Sequence, residues 1–156
     1  MTQTLPKPSV WVIIPPPLWA LMFILAAWLG GRAIGLEPFF RHVALGWIIF
    51  FFGFLVSASG RFAFARAGTE VVPASKKNSS LVTAFPFNLT RNPMYLGILI
   101  GMIGLAIALG TIAGVIAALG FFLFVNFVSI PYEEAKMDAQ FGEDFRAYKS
   151  RVRRWI

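Results

Sequence analysis

The stretch Arg91-Asn92-Pro93-Met94-Tyr95-Leu96-Gly97 opens the longest uncharged run of the sequence, which covers residues 92–132 and is closed by Glu133-Glu134. A single helix of about 41 residues would be roughly 60 Å long, whereas the hydrocarbon core of a bilayer is about 30 Å thick. The run is therefore predicted to form two spans, 94–110 and 112–131, which fold into a helical hairpin with its turn at Gly110-Thr111. Such a hairpin returns both glutamates to the membrane face that carries Arg91.

The composition of the chain predicts a membrane protein. Of the 156 residues, 58% are hydrophobic and only 13% are charged, and the mean hydropathy is +0.72. A soluble domain of this length could not bury so much apolar surface. Two further uncharged stretches are long enough to cross a bilayer as helices. We therefore predict an all-α, multi-pass protein that forms one domain over residues 1–156, with about four spans: 13–31, 43–60, 94–110 and 112–131.

The basic residues predict how the chain is oriented. The net charge is +7, and lysine and arginine are concentrated in the segment 61–91 and in the tail that follows Glu134. With four spans both regions fall on one side, and an excess of basic residues marks the cytoplasmic side. We expect both termini to be cytoplasmic and the membrane to be the cell or inner membrane. The surplus is assigned to anionic lipid headgroups and not to nucleic acid, and nothing in the sequence indicates a homo-oligomer.

Several chemistries are excluded by the residues that the chain lacks. There is no cysteine, which excludes disulfides, thiolate metal sites and a cysteine nucleophile. The single histidine, His42, stands at the start of the second predicted span, where an interfacial role is more common than a catalytic one. No metal site is therefore expected. The sequence also has no glycine-rich phosphate loop and no dinucleotide-binding fingerprint.

Two regions outside the spans allow two interpretations each. The apolar stretch around Phe85 and Phe87 either contacts the membrane or lines a ligand site. The side chains of Phe141, Phe145 and Tyr148 share one helical face, which predicts an amphipathic segment that lies on the membrane or covers the loop 61–92.

The acidic pair Glu133-Glu134 also has two interpretations. It follows Pro131 and would suit the positive N-terminus of a new helix. Alternatively, it forms part of a functional site. The predicted hairpin favours the functional interpretation, because it brings the pair to the rim beside Arg91.

Short motifs follow one another along the second part of the chain, with the predicted hairpin between two of them: Gly68-Thr69 with Pro73, Leu81-Val82-Thr83, Pro86-Phe87, residues 91–97, Glu133-Glu134, Phe141-Gly142 and Val152-Arg153-Arg154-Trp155. This ordered set resembles the isoprenylcysteine carboxyl methyltransferase and phospholipid methyltransferase superfamily over roughly residues 60–156. The resemblance implies an integral-membrane enzyme that uses S-adenosyl-L-methionine. It places the cofactor at the cytoplasmic rim, against the acidic pair.

The resemblance also implies the site residues. Arg91, Glu133 and Glu134 would be catalytic, and the cofactor would contact Val82, Thr83, Pro86, Phe87, Arg91, Asn92, Tyr95, Leu96, Gly97, Glu133 and Glu134. The carboxylates suit the cofactor's ammonium group or ribose hydroxyls, and Arg91 suits either the cofactor's carboxylate or an anionic group of the substrate. Phe85 and Phe87 are expected to stack on adenine. The chain departs from the family pattern at Phe85 and Asn88, where glycine and arginine are usual.

The methyl acceptor stays open at this point. An isoprenylcysteine carboxylate, a phospholipid amine and a small lipophilic molecule all suit the predicted architecture. Two other classes of protein share it: a membrane reductase of the steroid-reductase type that uses NADPH, and a non-catalytic assembly or transport subunit whose basic rim only meets lipid.

Overall fold

The computed structural model describes residues 9–68 and 80–156, and the regular secondary structure in these ranges is entirely helical. The predicted all-α class is therefore confirmed. The motif residues Thr69 and Pro73 lie outside the described residues. The helices are α1 (Val10–Ile13), α2 (Pro16–Ala33), α3 (Val43–Arg66), α4 (Pro93–Leu109), α5 (Ile112–Phe124), α6 (Ile130–Phe141) and α7 (Glu143–Arg151), and a π-helical turn (Val125–Ser129) joins α5 to α6.

Two helices are long and apolar enough to cross a membrane: α3, and the continuous helix Ile112–Phe141 that contains α5, the π turn and α6. Helix α4 is apolar but shorter. Only 17% of the most apolar part of α3 and 33% of that of Ile112–Phe141 is buried inside the protein, whereas a core helix of a soluble protein is mostly buried. Outward-facing residues such as Phe51, Leu55 and Ile116 therefore present an apolar surface suited to lipid.

The predicted hairpin is present, with α4 and α5 as its two arms. Helix α4 ends at Gly110, whose φ of 72° lies in the left-handed region that favours glycine. Thr111 then caps α5, because its side-chain oxygen accepts a hydrogen bond from the Gly114 N–H at 3.3 Å. The turn at Gly110-Thr111 is thus confirmed, and the carboxyl end of the second arm returns to the level of Arg91.

Helices α3 and α4 form the closest pair in the bundle, and glycines make their close approach possible. A Cβ atom added to Gly53 would lie 2.5 Å from both the Gly101 N and the Gly97 O of the facing helix. One added to Gly104 would lie 2.5 Å from the Phe50 N. Lipid gives little hydrophobic driving force between helices, so this backbone-to-backbone packing is a main source of their association.

The helix that carries the acidic pair does not begin at Pro131. Helix α6 continues directly from α5 through the π turn, so the N–H groups before Glu133 are not those of a free helix end. The interpretation of the pair as a helix-start device is therefore wrong. Pro131 has no N–H to donate, and its ring crowds the carbonyl four residues earlier, which accounts for the wider turn at this point.

The chain reverses after α6 and brings α7 back over the loop that precedes α4. Gly142, with a φ of 53°, separates the two helices. Phe145 and Tyr148 then pack against Phe87 in a small buried cluster. The Tyr148 hydroxyl donates to the Phe87 carbonyl at 2.7 Å, and burial raises the pKa of this tyrosine to about 12. The amphipathic tail segment therefore covers the loop before α4, which is one of the two positions predicted for it.

Gly53→Ala is expected to destabilise the protein, because the new methyl group would collide with the backbone of α4. Overpacking of this kind costs about 1–3 kcal/mol. Thermal unfolding of the detergent-purified protein should show a lower Tm. Gly101→Ala is the matched control, since its Cβ would lie 3.8 Å from the nearest Phe50 atoms, an ordinary contact. An equal Tm for the two variants would contradict glycine-mediated packing of α3 on α4.

Candidate active site

A cavity of about 550 Å³ lies at the end of the bundle where α4 begins and α6 follows the π turn. Its walls come from the start of α2, the end of α3, the start of α4, α6 and α7, together with the loop before α4. Most of this lining is apolar. The polar groups converge from α4 on one side and from α6 on the other, because the hairpin returns the chain to this level.

Most of the site residues predicted from the sequence line this cavity. Seven of them line it: Val82, Phe87, Arg91, Asn92, Tyr95, Glu133 and Glu134. Four do not: Thr83, Pro86, Leu96 and Gly97. Thr83 is exposed, and Gly97 packs against Ser57 of α3, where a Cβ atom would collide with the backbone. Phe85, expected to stack on adenine, is 65% exposed and lies outside the lining.

Glu134 is held by three cations. Its carboxylate accepts from Arg91 Nη2 at 2.7 Å, from Arg154 Nη2 at 2.8 Å and from Lys149 Nζ at 3.3 Å. Burial alone would raise the pKa of this carboxyl, but the hydrogen bonds and charges of Arg154 and Arg91 lower the pKa to about 2. Glu134 is therefore ionised at neutral pH, and its charge is already balanced within the protein.

Glu133 has a different environment, although it is the adjacent residue. It is half-buried in the cavity wall, where its Oε1 accepts from the Tyr95 hydroxyl at 2.6 Å. Burial raises its pKa to about 7, against the opposing effects of the Tyr95 hydrogen bond and the positive charge of Lys136. This residue lies beyond the apolar part of its helix. A carboxyl group with such a pKa gains much from a cationic ligand.

Arg91 connects the start of α4 to the tail. Its Nη1 donates to the carbonyls of Val152 at 2.5 Å and Lys149 at 3.2 Å, and its Nη2 is occupied by Glu134. Its Nε is buried and has no hydrogen-bond partner among residues 9–68 and 80–156. The guanidinium thus retains its Nε–H as a donor for a ligand.

The last residues form a C-terminal strap, residues 152–155, that fixes the segment before α4. The Arg91 N–H donates to the Arg153 carbonyl at 2.9 Å, and the Asn92 side-chain amide donates to the Arg154 carbonyl at 2.9 Å. The Thr90 hydroxyl donates to the same Arg154 carbonyl at 3.1 Å. Asn92, predicted to bind the cofactor, therefore has a structural partner for its amide N–H.

The sequence analysis did not single out Asn126, the residue that anchors this strap. Trp155 Nε1 donates to the Asn126 side-chain oxygen at 3.1 Å, and Arg154 Nη1 donates to the same oxygen at 3.3 Å. Asn126 lies in the π turn, and an amide within an apolar span is costly unless it has a partner. That cost is the signal that could have singled it out. Lys136, which is 3% exposed and lines the cavity, was also missed.

No group of three or more metal-ligating side chains that could hold a metal ion occurs in the part of the chain that the structure describes. The polar side chains that line the cavity are two carboxylates, two guanidinium groups, an ammonium group, two phenols, an amide and two hydroxyls: Glu133, Glu134, Arg61, Arg91, Lys136, Tyr95, Tyr148, Asn92, Ser57 and Ser80.

Comparison with known proteins identifies the family. The family model described as phospholipid methyltransferase matches residues 41–144, which are about two thirds of the chain and include both the Arg91 motif and the acidic pair. An uncharacterised protein of Haemophilus influenzae is 33% identical over 63 residues, which are 40% of this chain and the whole of that relative. No solved structure gives a significant match. The chain belongs to the phospholipid methyltransferase family.

Proposed function

We propose that this protein transfers a methyl group from S-adenosyl-L-methionine to a lipophilic or amphiphilic acceptor at the membrane, and that the cavity is its active site. The observation that carries the proposal is the unequal pair of glutamates. Glu134 is neutralised by three cations, whereas Glu133 lies in the cavity wall with a raised pKa. An apolar cavity that presents such a carboxyl group suits a ligand with a positive charge.

The residues present suit the proposed cofactor. The Glu133 carboxylate would pair with its ammonium group, and the orphaned Nε of Arg91 would donate to its carboxylate. Val82 and Phe87 offer apolar surface for the adenine ring. When bound, S-adenosylmethionine supplies a methyl group on a positively charged sulfur. The protein then has to align the acceptor and keep water out.

Each residue of the site has a distinct role in this proposal. Tyr95 orients the Glu133 carboxylate through its hydroxyl hydrogen bond. Arg91 and Glu134 hold α4, α6 and the C-terminal strap in register, so their contribution is mainly positioning. Helix α7 covers the loop before α4 and helps to exclude water. The guanidinium of Arg91 contributes directly only through Nε.

The proposed topology has four spans, with both termini and the cavity on the cytoplasmic side. Helix α2 has 18 residues and exposes apolar side chains such as Leu21, Leu25 and Leu29, which supports its role as a span. Arg61, Arg66 and Arg91, together with the basic tail, stand at the end of the bundle that carries the cavity. Basic residues of this density favour the cytoplasmic side.

The family description favours a phospholipid or a similar amphiphile as the acceptor. The apolar side chains of Phe54, Met94 and Ile98 lie in the cavity wall, where they would contact hydrocarbon. Family membership gives no support to an NADPH-dependent reductase or to a non-catalytic subunit.

Glu133→Gln should weaken binding of S-adenosylhomocysteine, because the substitution keeps the size of the side chain and removes its charge. Loss of a charge-assisted hydrogen bond corresponds to about 1.5–3 kcal/mol. Calorimetric titration of the detergent-purified protein measures the affinity. Glu134→Gln is the control, and it should instead lower the Tm because it disrupts the three ion pairs. If Glu133→Gln binds S-adenosylhomocysteine as tightly as the wild type does, Glu133 does not contact the cofactor.

The pH dependence of the same titration provides a second readout. Glu133, with a pKa of about 7, loses its proton as the pH rises through neutrality. The affinity of the wild-type protein for a ligand with an ammonium group should therefore increase from about pH 5.5 to 7.5. The increase should be absent in Glu133→Gln.

Arg91→Lys should fold and insert but lose most methyl transfer. The three donors of a lysine ammonium sit on one nitrogen, so lysine cannot reproduce the spacing with which Nη1 and Nη2 reach the tail carbonyls and Glu134, and it has no counterpart of Nε. We expect at least a tenfold lower rate of transfer of labelled methyl groups to membrane lipid, with a raised KM for the cofactor. Arg151→Lys is the control, since Arg151 is exposed and donates to the Ala147 carbonyl of its own helix. A wild-type rate in Arg91→Lys would show that methyl transfer needs neither the Nε donor nor the full set of guanidinium bonds.

A further inference from the structure

A second cavity, of about 570 Å³, lies at the end of the bundle opposite the proposed active site. Here we call it the distal cavity. Its lining comes from the end of α2, the start of α5 and the end of α4, together with the connection between α2 and α3. These segments are at the far ends of the same helices that form the active-site cavity. The distal cavity is therefore a separate site, and the proposed methyl transfer does not explain it.

Two guanidinium groups line the distal cavity. Arg32 stands at the end of α2, and Arg41 lies two residues before the start of α3. Neither makes an ion pair with any residue of the described ranges 9–68 and 80–156. Arg32 lies over the Trp28 ring at 5.2 Å, which limits the directions in which it can point. Glu37 adds one carboxylate, so positive charge predominates in the cavity.

The rest of the lining is an apolar groove between α2 and α4. Helix α2 packs mainly on α5 and α4 packs mainly on α3, while α2 and α4 contact each other less extensively. Ile24 and Ala27 line the groove on the side of α2, and Met102 and Leu105 line it on the side of α4. The small residues Ala113 and Gly114 form its base at the start of α5. A groove of this kind, with arginines at its mouth, matches the shape and polarity of a lipid.

We propose that the distal cavity binds an anionic phospholipid, with its phosphate between Arg32 and Arg41 and an acyl chain in the groove between α2 and α4. The fork of a guanidinium group matches the oxygens of a phosphate ester. The apolar side walls distinguish a lipid from a free phosphate ion, which would leave the groove without a partner. The bound lipid contacts both α2 and α4, two helices that pack less on each other than on α5 and α3.

Native mass spectrometry of the full chain in detergent, titrated with phosphatidylglycerol, tests the proposal. The variant Arg32→Gln/Arg41→Gln should bind the lipid about 30-fold more weakly, which is about 2 kcal/mol at 1.4 kcal/mol per tenfold change. Arg66→Gln is the matched control. Arg66 lies over the Phe62 ring at 5.1 Å, much as Arg32 lies over Trp28, but it does not line the distal cavity. Its affinity for phosphatidylglycerol should equal that of the wild type.

Two comparisons identify the source of the phosphate and the specificity of the site. Inorganic phosphate at millimolar concentration should not displace phosphatidylglycerol, and phosphatidylcholine should bind more weakly than phosphatidylglycerol. Displacement by phosphate would show a free-anion site and would overturn the lipid assignment. Equal losses in the double variant and in Arg66→Gln would show general attraction between basic residues and headgroups, which would also overturn it. Wild-type affinity of the double variant for phosphatidylglycerol would also overturn the assignment.

Discussion

The ion pairs of Glu134 are the interaction on which the arrangement of the site depends. One carboxylate from α6 meets Arg91 before α4, Lys149 on α7 and Arg154 in the C-terminal strap, at distances of 2.7–3.3 Å. Removing one partner of a buried charge costs about 3–5 kcal/mol, because the remaining charge is left without compensation. These pairs therefore hold α6, α7 and the C-terminal strap against the segment before α4, which is more than 40 residues earlier in the sequence, and they give the cavity a defined shape.

This network also explains why two adjacent glutamates differ. The cations that compensate Glu134 come from the strap, from α7 and from Arg91 before α4, whereas Glu133 accepts a hydrogen bond from the Tyr95 hydroxyl in the first turn of α4. Burial then acts on Glu133 with less opposition and raises its pKa to about 7. In this account Glu134 assembles the site and Glu133 recognises the ligand. Arg91 belongs with Glu134 in this division, because most of its guanidinium bonds hold the site together.

The sequence predicted the parts of the fold that depend on local chemistry or on length. The hairpin followed from the length of the run 92–132, and its turn followed from a glycine that can take a positive φ and a threonine that can cap a helix. The role of each glutamate could not be predicted, because the π turn shifts the helical phase of every residue after Val125–Ser129. The partners of Arg91 are largely backbone carbonyls of the tail. Every residue has such a carbonyl, so the sequence does not indicate which ones Arg91 contacts.

We propose that Glu133, and not Glu134, contacts the cofactor. The decisive experiment is a structure of the protein with S-adenosylhomocysteine bound, because it gives the distance from each carboxylate to the ligand's ammonium nitrogen. We expect this nitrogen to lie within about 3 Å of a Glu133 oxygen, while Glu134 keeps its bonds to Arg91 and Arg154. A ligand whose ammonium group is bound by Glu134, with the Arg91 and Arg154 pairs broken, would contradict this proposal.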